Sequence, residues 1–511
     1  MLTFVARRLV AAFFILLGAT FIAYILVANA GDPLDAARGL PNPDLRTHTM
    51  QVITANLHLD VNPVFRYFIW VKGVGGCFLG QCNFGESINQ TPVNGQLSNA
   101  ILVSLRLITA ATFMAIFLGI SIGIITALRQ YSGLDYTVTV MVFLFFSLPV
   151  FWIGVILKDV LGIRFNSFLQ AGAALSWGAI IVVSVFIGII AYSLFGGEFR
   201  RRLVVGALVT AVVFLALYYV TVTHWLLNPS LGPVIIAVFA GLLALGITTL
   251  VSGLSNRRSL YTALTTVAVG VALWLPLQYF FFNGMSFLKL LMLLVIAIAV
   301  GLTIGYLYGG DDRGLSARNG ALSAVGTAFF IFVDRMMRAW QTYIATPGIN
   351  GRPIKTILPN TPNLKGDFWI QTTDTLTHLV LPTLTLMLIS LATHSRFSRA
   401  SMLEVLNQDY IRTARSKGLT ERTVIMRHAF RNALIPMATV IAFDIAGLLG
   451  GAVFTETVFG WKALGAMFQN GLTQHDPNPI MAFFVVSASV AVLANLLADL
   501  AYAALDPRIR V

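Results

Sequence analysis

The sequence predicts an all-α integral membrane protein of about twelve transmembrane helices. Of its 511 residues, 57% are hydrophobic and 11% charged, and the mean hydropathy is +0.82. A water-soluble domain carries about 25% charged residues. Apolar runs near the roughly 20 residues that cross a bilayer as a helix recur from end to end. Backbone groups in lipid must be bonded internally, which leaves helices or a closed barrel. The runs are too long and continuous for barrel strands of about 10 residues. The formal net charge of +13 has no base-stacking motif beside it, so it reads as Lys and Arg gathered in cytoplasmic loops rather than as a nucleic-acid surface.

Charge placement orients the runs one after another. Arg7 and Arg8 precede an apolar run, 9–28, that ends in a small-residue stretch, Ala28-Asn29-Ala30. It exceeds the 7–15 apolar residues of a cleavable signal and reads as a retained first span. An outer polar stretch follows at 30–98, then spans at about 100–128 and 136–157. Six further runs lie near 172–195, 203–222, 232–253, 259–282, 286–308 and 320–343, with charged connections on one side and connections free of Lys and Arg on the other. An outer stretch, 344–375, leads to a span at 376–395, and the last two spans fall near 435–454 and 480–503. This places both termini in the cytoplasm of a multi-pass plasma-membrane protein. Cys77 and Cys82 fall in the outer stretch, where a disulfide and two free thiols are both open; two thiols alone make no metal site.

The segment 400–434 is the most polar long stretch of the second half, carrying Arg412, Arg415, Lys417, Arg422, Arg427 and Arg431. Ser401 to Lys417 is rich in helix formers, and Gly418 stands where a helix stops in a left-handed cap. Arg415 and Lys417 suit the negative end of that helix. Thr420 caps a second helix that begins with Glu421 and Arg422. The expected product is two short helices around a sharp turn, a knob suited to a groove on a partner.

The residues here resemble a known family. The run Glu404-Val-Leu-Asn-Gln-Asp409-Tyr410-Ile-Arg412-Thr413-Ala414-Arg415-Ser-Lys417-Gly418-Leu419, continued by Arg427-His428-Ala-Phe-Arg431-Asn432-Ala433-Leu434-Ile-Pro436, is similar to the coupling-loop signature of bacterial ABC-importer permeases of the dipeptide/oligopeptide branch. So are Gly450-Gly451-Ala-Val-Phe-Thr-Glu456-Thr-Val-Phe459-Gly-Trp461, the closing Asn495-Leu-Leu-Ala-Asp499 through Leu505-Asp506-Pro507-Arg508, and Asn83-Phe-Gly85-Glu-Ser87 with Thr91-Pro92-Val93 near the other end. Arg412 and Thr413 stand where the general signature has Glu and its first Ala, and the reach from Gly418 to Pro436 is longer than in that pattern; both departures suit the peptide branch. The resemblance covers roughly 1–157 and 376–511. It implies a six-helix importer-permease core interrupted by a six-helix insertion. The core would comprise 1–159 and 346–511, the insertion 160–345, and the coupling loop 400–436. It further implies that the coupling loop docks on a cytoplasmic ATPase, with two ATPase subunits, a homologous second permease and an extracytoplasmic substrate-binding protein as partners. The dipeptide Gly-Lys never occurs, so this chain has no P-loop, and ATP and magnesium belong to the partner subunits.

Ionisable residues within spans are candidate sites by default. Asp444 either lines the translocation path or pairs with a neighbouring helix. Lys158 and Asp159 read as snorkelling residues at a membrane interface, and Asp334, Arg335 and Arg338 as a structural set paired at three- and four-residue spacing. Gly119-x-x-x-Gly123 and Gly301-x-x-x-Gly305 allow close helix approach, though Gly-rich sequence produces this spacing by chance. His378, His394 and His428 lack metal-ligand spacing, and no metal is expected. The inserted block is a peripheral belt, a holder for an accessory partner, or a modifier of the solute path. An autonomous ion-coupled transporter is the alternative function, but no half-to-half repeat supports it. An intramembrane enzyme finds no nucleophile–base pair.

Overall fold

The computed structural model describes residues 2–195, 197–282 and 284–505. Ten of its helices are long and apolar enough to cross a membrane, or up to twelve if each of two bent helix pairs is one span. Among the described residues, strand pairing is confined to one isolated bridge, Glu86 with Pro92. The expected end of the chain beyond 505, including Asp506-Pro507-Arg508, lies outside the described residues.

The first span is α1 (Leu2–Ala30), and the outer stretch after it is largely helical, with α2 (Pro43–Leu57) and α3 (Pro63–Gly75). Each of these starts in the same way: Asn42 or Asn62 accepts backbone N–H groups at the cap, and proline occupies the first turn, where its missing N–H costs nothing. Tyr67 and Trp70 of α3 pack against Tyr24 of α1, and the Tyr67 hydroxyl donates to the Leu17 carbonyl at 3.0 Å. Cys77 and Cys82 are joined by a disulfide. The strand of chain after it is gripped by Asn94, whose Oδ1 accepts the Phe84 amide at 2.9 Å, at the start of α4 (Val93–Leu128).

The third core span departs from expectation. In place of one helix over 136–157 there are α5 (Gly133–Ser147) and α6 (Val150–Gln170), bent by 105°. The cause is Pro149. It has no N–H to continue the ladder, and it drives Leu148 to an extended ψ of 133°. The domain boundary expected at 159/160 therefore falls inside α6. Lys158 and Asp159 both find partners within the protein: Lys158 Nζ donates to the Val458 carbonyl at 2.9 Å, at the far end of another helix, while Asp159 pairs with Arg164 at 2.8 Å.

The inserted block forms α7 (Trp177–Leu194), α8 (Phe199–Val222), α9 (Gly232–Val251), α10 (Arg257–Ala272), α11 (Trp274–Phe282), α12 (Phe287–Tyr308) and α13 (Arg313–Ala345). The run expected as one span at 259–282 is the second bent pair, α10 and α11, at 45°. Helices α7 and α8 pack on each other, whereas α9, α10 and α12 all pack on α13. Gly301 of α12 meets the backbone of Gly320, and Gly305 meets Ala317, so the spacing noted in the sequence marks a backbone-to-backbone crossing. Asp334 of α13 is the main polar node. It accepts the Leu231 and Gly232 amides at 2.8 and 2.9 Å, the Trp274 indole at 2.8 Å and Arg338 Nε at 2.9 Å. Arg335 does not join that set; its guanidinium lies over the Phe282 ring at 4.4 Å and Trp369 at 5.3 Å.

The chain then returns to the core through α14 (Phe368–Leu406), a short α15 (Asp409–Ser416), α16 (Phe430–Val458), α17 (Leu464–Gln474) and α18 (Pro477–Leu505). Helix α14 has 39 residues and spans about 58 Å, far beyond a bilayer core of roughly 30 Å. It packs along α4 because Gly119 and Gly123 admit it: a Cβ at either would lie within 2.7 Å of His394 Cβ or 2.6 Å of the Ser395 carbonyl. On the membrane face of α2 and α3, Asp476 accepts the Ile88 amide at 2.8 Å, and Asn478 donates to the Glu86 carbonyl at 2.7 Å. Nearby, Glu456 accepts from Ser104 Oγ and the Gly465 amide, both at 2.6 Å. Arg8 pairs with Asp499 at 3.2 Å, which joins the basic first span to the closing motif.

Replacing Asp334 with Ala should leave five donors from three elements unmatched in a buried node, Gln278 Nε2 at 3.3 Å being the fifth. A loss of about 3–5 kcal/mol is expected, the usual cost of removing one partner from a buried pair. It should appear as a clear drop in the melting temperature of the detergent-solubilised chain, while D334N, which keeps an acceptor, should lose less.

Candidate functional site

The candidate site is the turn between α14 and α16, on the membrane face opposite α2 and α3. Its inner side is a small core of its own: Ile411 and Ala414 of α15 are buried with Met402, Val424, Ala429 and Ala433, and with Ala127 from the end of α4. These spacings explain why α15 forms at all. Eight residues are too few for a stable helix in isolation, so its apolar stripe must be covered. The outer side carries Asp409, Tyr410, Arg412, Thr413, Arg415, Lys417, Gly418 and Leu419, all exposed.

Gly418 has φ +73°, the left-handed conformation that a side chain makes costly. Its N–H donates to the Arg415 carbonyl at 2.9 Å and that of Leu419 to the Ala414 carbonyl at 3.4 Å, which closes the helix end. Arg415 then clamps the turn from outside, with Nη2 at 2.7 Å and Nε at 3.2 Å from the Glu421 carboxylate. Thr420 caps the next helix through its Oγ1, which accepts the Thr423 amide at 3.4 Å.

Two expectations are corrected here. The helix foreseen over 401–417 is broken at Asn407-Gln408 and comprises the end of α14 and the whole of α15. The second helix is not short: Glu421–Thr423 and a π-helical stretch, Val424–Ala429, run without interruption into α16. Pro436 sits inside that helix, past the point where Asn432 Nδ2 donates to the Tyr410 hydroxyl at 3.0 Å and ties the turn to α16. Ser401 Oγ donates to the Ala433 carbonyl at 2.9 Å and ties α14 to the same point. Arg427 is exposed beside these contacts.

A further link was not found by reading the sequence. Arg399 makes a two-pronged contact with Asp135 of α5, Nε and Nη2 each at 2.9 Å from one carboxylate oxygen. Arg396 lies over Phe143 and Phe146 of the same helix, at 5.3 and 4.6 Å. The one available signal was Ser132-x-x-Asp135, a capping pattern borne out by the Asp135 amide donating to Ser132 Oγ at 3.3 Å. Deeper in the bundle, Asp444 pairs with α14: Ser390 Oγ lies 3.0 Å from one carboxylate oxygen and His394 Nε2 3.0 Å from the other. Of the two readings left open for Asp444, the geometry supplies the interhelical pair.

Hydrogen bonds from Arg415 hold the Glu421 carboxyl below the ordinary glutamate range. A depressed folded pKa means that the pair contributes fully above the unfolded value of about 4.3 and is lost as pH falls through the folded one. Amide exchange at Gly418 and Leu419, corrected for intrinsic rate, should therefore be flat near neutral pH and accelerate below about pH 4. E421Q should remove that step, at a cost under about 1 kcal/mol because the pair is exposed.

The chain is also similar to known proteins. Residues 327–511 match the family described as binding-protein-dependent transport system inner membrane component. The match begins within α13, ahead of the boundary expected at 345/346. The chain is similar to an oligopeptide transport system permease protein of Mycobacterium tuberculosis, 51% identical over 150 residues, which are 29% of this chain and 46% of that protein. It is 46% identical over 137 residues to a dipeptide transport system permease protein of Escherichia coli, covering 27% and 40%. A putative peptide permease protein of Brucella suis is 37% identical over 219 residues, covering 43% and 66%. The chain thus spans about half the length of the first relatives it matches.

Proposed function

We propose that this chain, a member of the binding-protein-dependent transport system inner membrane family through residues 327–511, is a membrane-spanning permease subunit of an ATP-driven importer. Its cargo would be peptides or similar small solutes, carried into the cytoplasm by alternating access. The observation that carries the reading is the turn between α14 and α16, whose inner face is built as a packed core and whose outer face is left bare around Gly418.

Such a knob suits a cleft on a cytoplasmic ATPase, and its attachments suit the passing on of movement. A push on α15 acts on α16 through Asn432 and Ala433, on α14 through Met402 and Ser401, and on the bent α5 through Arg399. Helix α14 is long enough to deliver that movement to the opposite membrane face. Two ATPase subunits would supply nucleotide chemistry, a homologous permease the other half of the pore, and a binding protein the solute on the face of α2 and α3. The basic turn would lie inside the cell by the positive-inside rule. The inserted block is then peripheral to the pore, although it reaches the turn: the Gly253 backbone lies against the Arg422 guanidinium, 3.3 Å from where a Cβ would stand.

The test is at Gly418. A valine there would be forced into a conformation costing roughly 1–2 kcal/mol, so G418V should cut ATP-driven transport about tenfold or more with membrane insertion intact. Asparagine tolerates left-handed backbone, so G418N should retain more activity. Normal ATPase association and transport in G418V would sink the docking assignment, and transport by the lone chain in an ion gradient without ATP would replace it with an ion-coupled carrier.

A further inference from the structure

The inserted block contains a cavity of about 430 Å³ that the importer reading does not use. It lies between α10, α11, α12 and α13, within the range of about 300–1,000 Å³ typical of ligand pockets. Its lining is almost wholly apolar, with Leu273, Phe281, Leu294, Val300, Ala328 and Phe332 among the walls. Its origin is the crossing of α12 and α13. The glycines at 301, 305 and 320 bring the two backbones into contact at one end. Beyond that contact, bulky side chains from Phe287 to Leu294 line the cavity on α12. Along α12 the walls run from Phe287 to Val300, about 20 Å of helix, against roughly 15 Å for one leaflet of the hydrocarbon core. The groove is therefore elongated along α12, from the first residue of that helix inward.

Beyond the lining residues, each of the two long helices carries a cation on the continuation of its wall stripe. On α12 the wall residues Leu293, Ile296 and Val300 follow helical spacing, and one turn nearer the surface the same stripe reaches Lys289. On α13 the stripe Val325, Ala328 and Phe332 reaches Arg335. The register of the glycine crossing, Gly301 with Gly320, puts Arg335 level with Ser286, at the same end of the helix pair as Lys289. Arg335 is 7% exposed, and its Nε is a buried donor with no hydrogen-bond partner. The acids beside it are already engaged, Asp334 by the node described above and Asp367 by capping α14 through the Ile370 amide. Lys289 is exposed, with its Nζ 2.6 Å from the Gly284 carbonyl.

We propose that this groove is a binding site for one anionic glycerophospholipid, with an acyl chain along α12 and α13 and its phosphate at Arg335 and Lys289. An apolar channel that opens on the acyl region fits a hydrocarbon chain. A buried guanidinium with an unused N–H, at the same end of the helix pair as an exposed ammonium, fits a phosphate at headgroup depth. A peptide solute would leave its backbone groups unmatched against such walls.

The assembled importer, placed in nanodiscs of phosphatidylcholine with a minor share of phosphatidylglycerol, should retain one phosphatidylglycerol in native mass spectrometry. Ala328→Trp fills the groove and should lower that retention at least about tenfold, since displacing even a few buried methylenes changes affinity by this much. Leu288→Trp, on an exposed face outside the walls, should leave it unchanged. Arg335→Gln should keep a lipid but lose the preference for phosphatidylglycerol. Equal retention in wild type and Ala328→Trp would overturn the proposal. Should Ala328→Trp fail to assemble, a photo-crosslinking residue at Leu294 in the otherwise native chain decides the matter: a phospholipid adduct supports the site, and a protein adduct or none overturns it.

Discussion

No water reaches the middle of a bilayer, so a polar group carried there must find its partner within the protein. That constraint organises this chain. Asp334 gathers donors from the start of α9, from α11 and from its own helix, and Glu456 joins α4 to the start of α17. Asp135 and Arg399 join α5 to α14, and Asp444 joins α16 to the same helix. Each is a carboxylate met by another element. Apolar surface alone cannot choose which helices become neighbours, because lipid is as apolar as leucine. The buried carboxylates make that choice, and the glycines permit the approach.

Helix α14 shows the consequence. Its contact with α4 is close because Gly119 and Gly123 carry no side chain, and its contacts with α5 and α16 are polar and directional. It therefore behaves as a strut from one membrane face to the exposed turn at Gly418. The proposed coupling function needs such a strut, since a movement imposed at the turn is useful only if it is not absorbed by loose packing. The bend at Pro149 supplies the complementary element, a break in the third span next to the strut. The inserted helices stand apart from this arrangement. Of these, α9, α10 and α12 are held together by α13, and the block meets the turn at Gly253, with an apolar groove of its own.

Much of the candidate site was legible in the sequence because its signals are local. Gly418 as a left-handed stop, Thr420 as a cap and the charged outer face all depend on residues a few positions apart. The break at Asn407-Gln408 was not legible, since Ser401 to Lys417 is uniformly rich in helix formers. It arises because α15 turns Ile411 and Ala414 towards Ala127, nearly 300 residues away in the chain. The Arg415–Glu421 clamp and the Asp135–Arg399 pair escaped for the same reason, as their partners meet only once the turn or the bundle has formed.

By itself, the sequence determined the solvent in which this protein folds, the number of its candidate spans within the ambiguity of two bent pairs, and the position of the exposed knob at Gly418. Each follows from composition or from patterns within one helical turn or one span. The tertiary structure alone decided which helices touch, what Asp444 and Lys158 bind, that Cys77 and Cys82 are joined, and that Arg335 stands over aromatic rings. Those outcomes rest on side chains brought together from distant parts of the chain, where hydrophobic periodicity says only that a face is apolar and not which face it will meet.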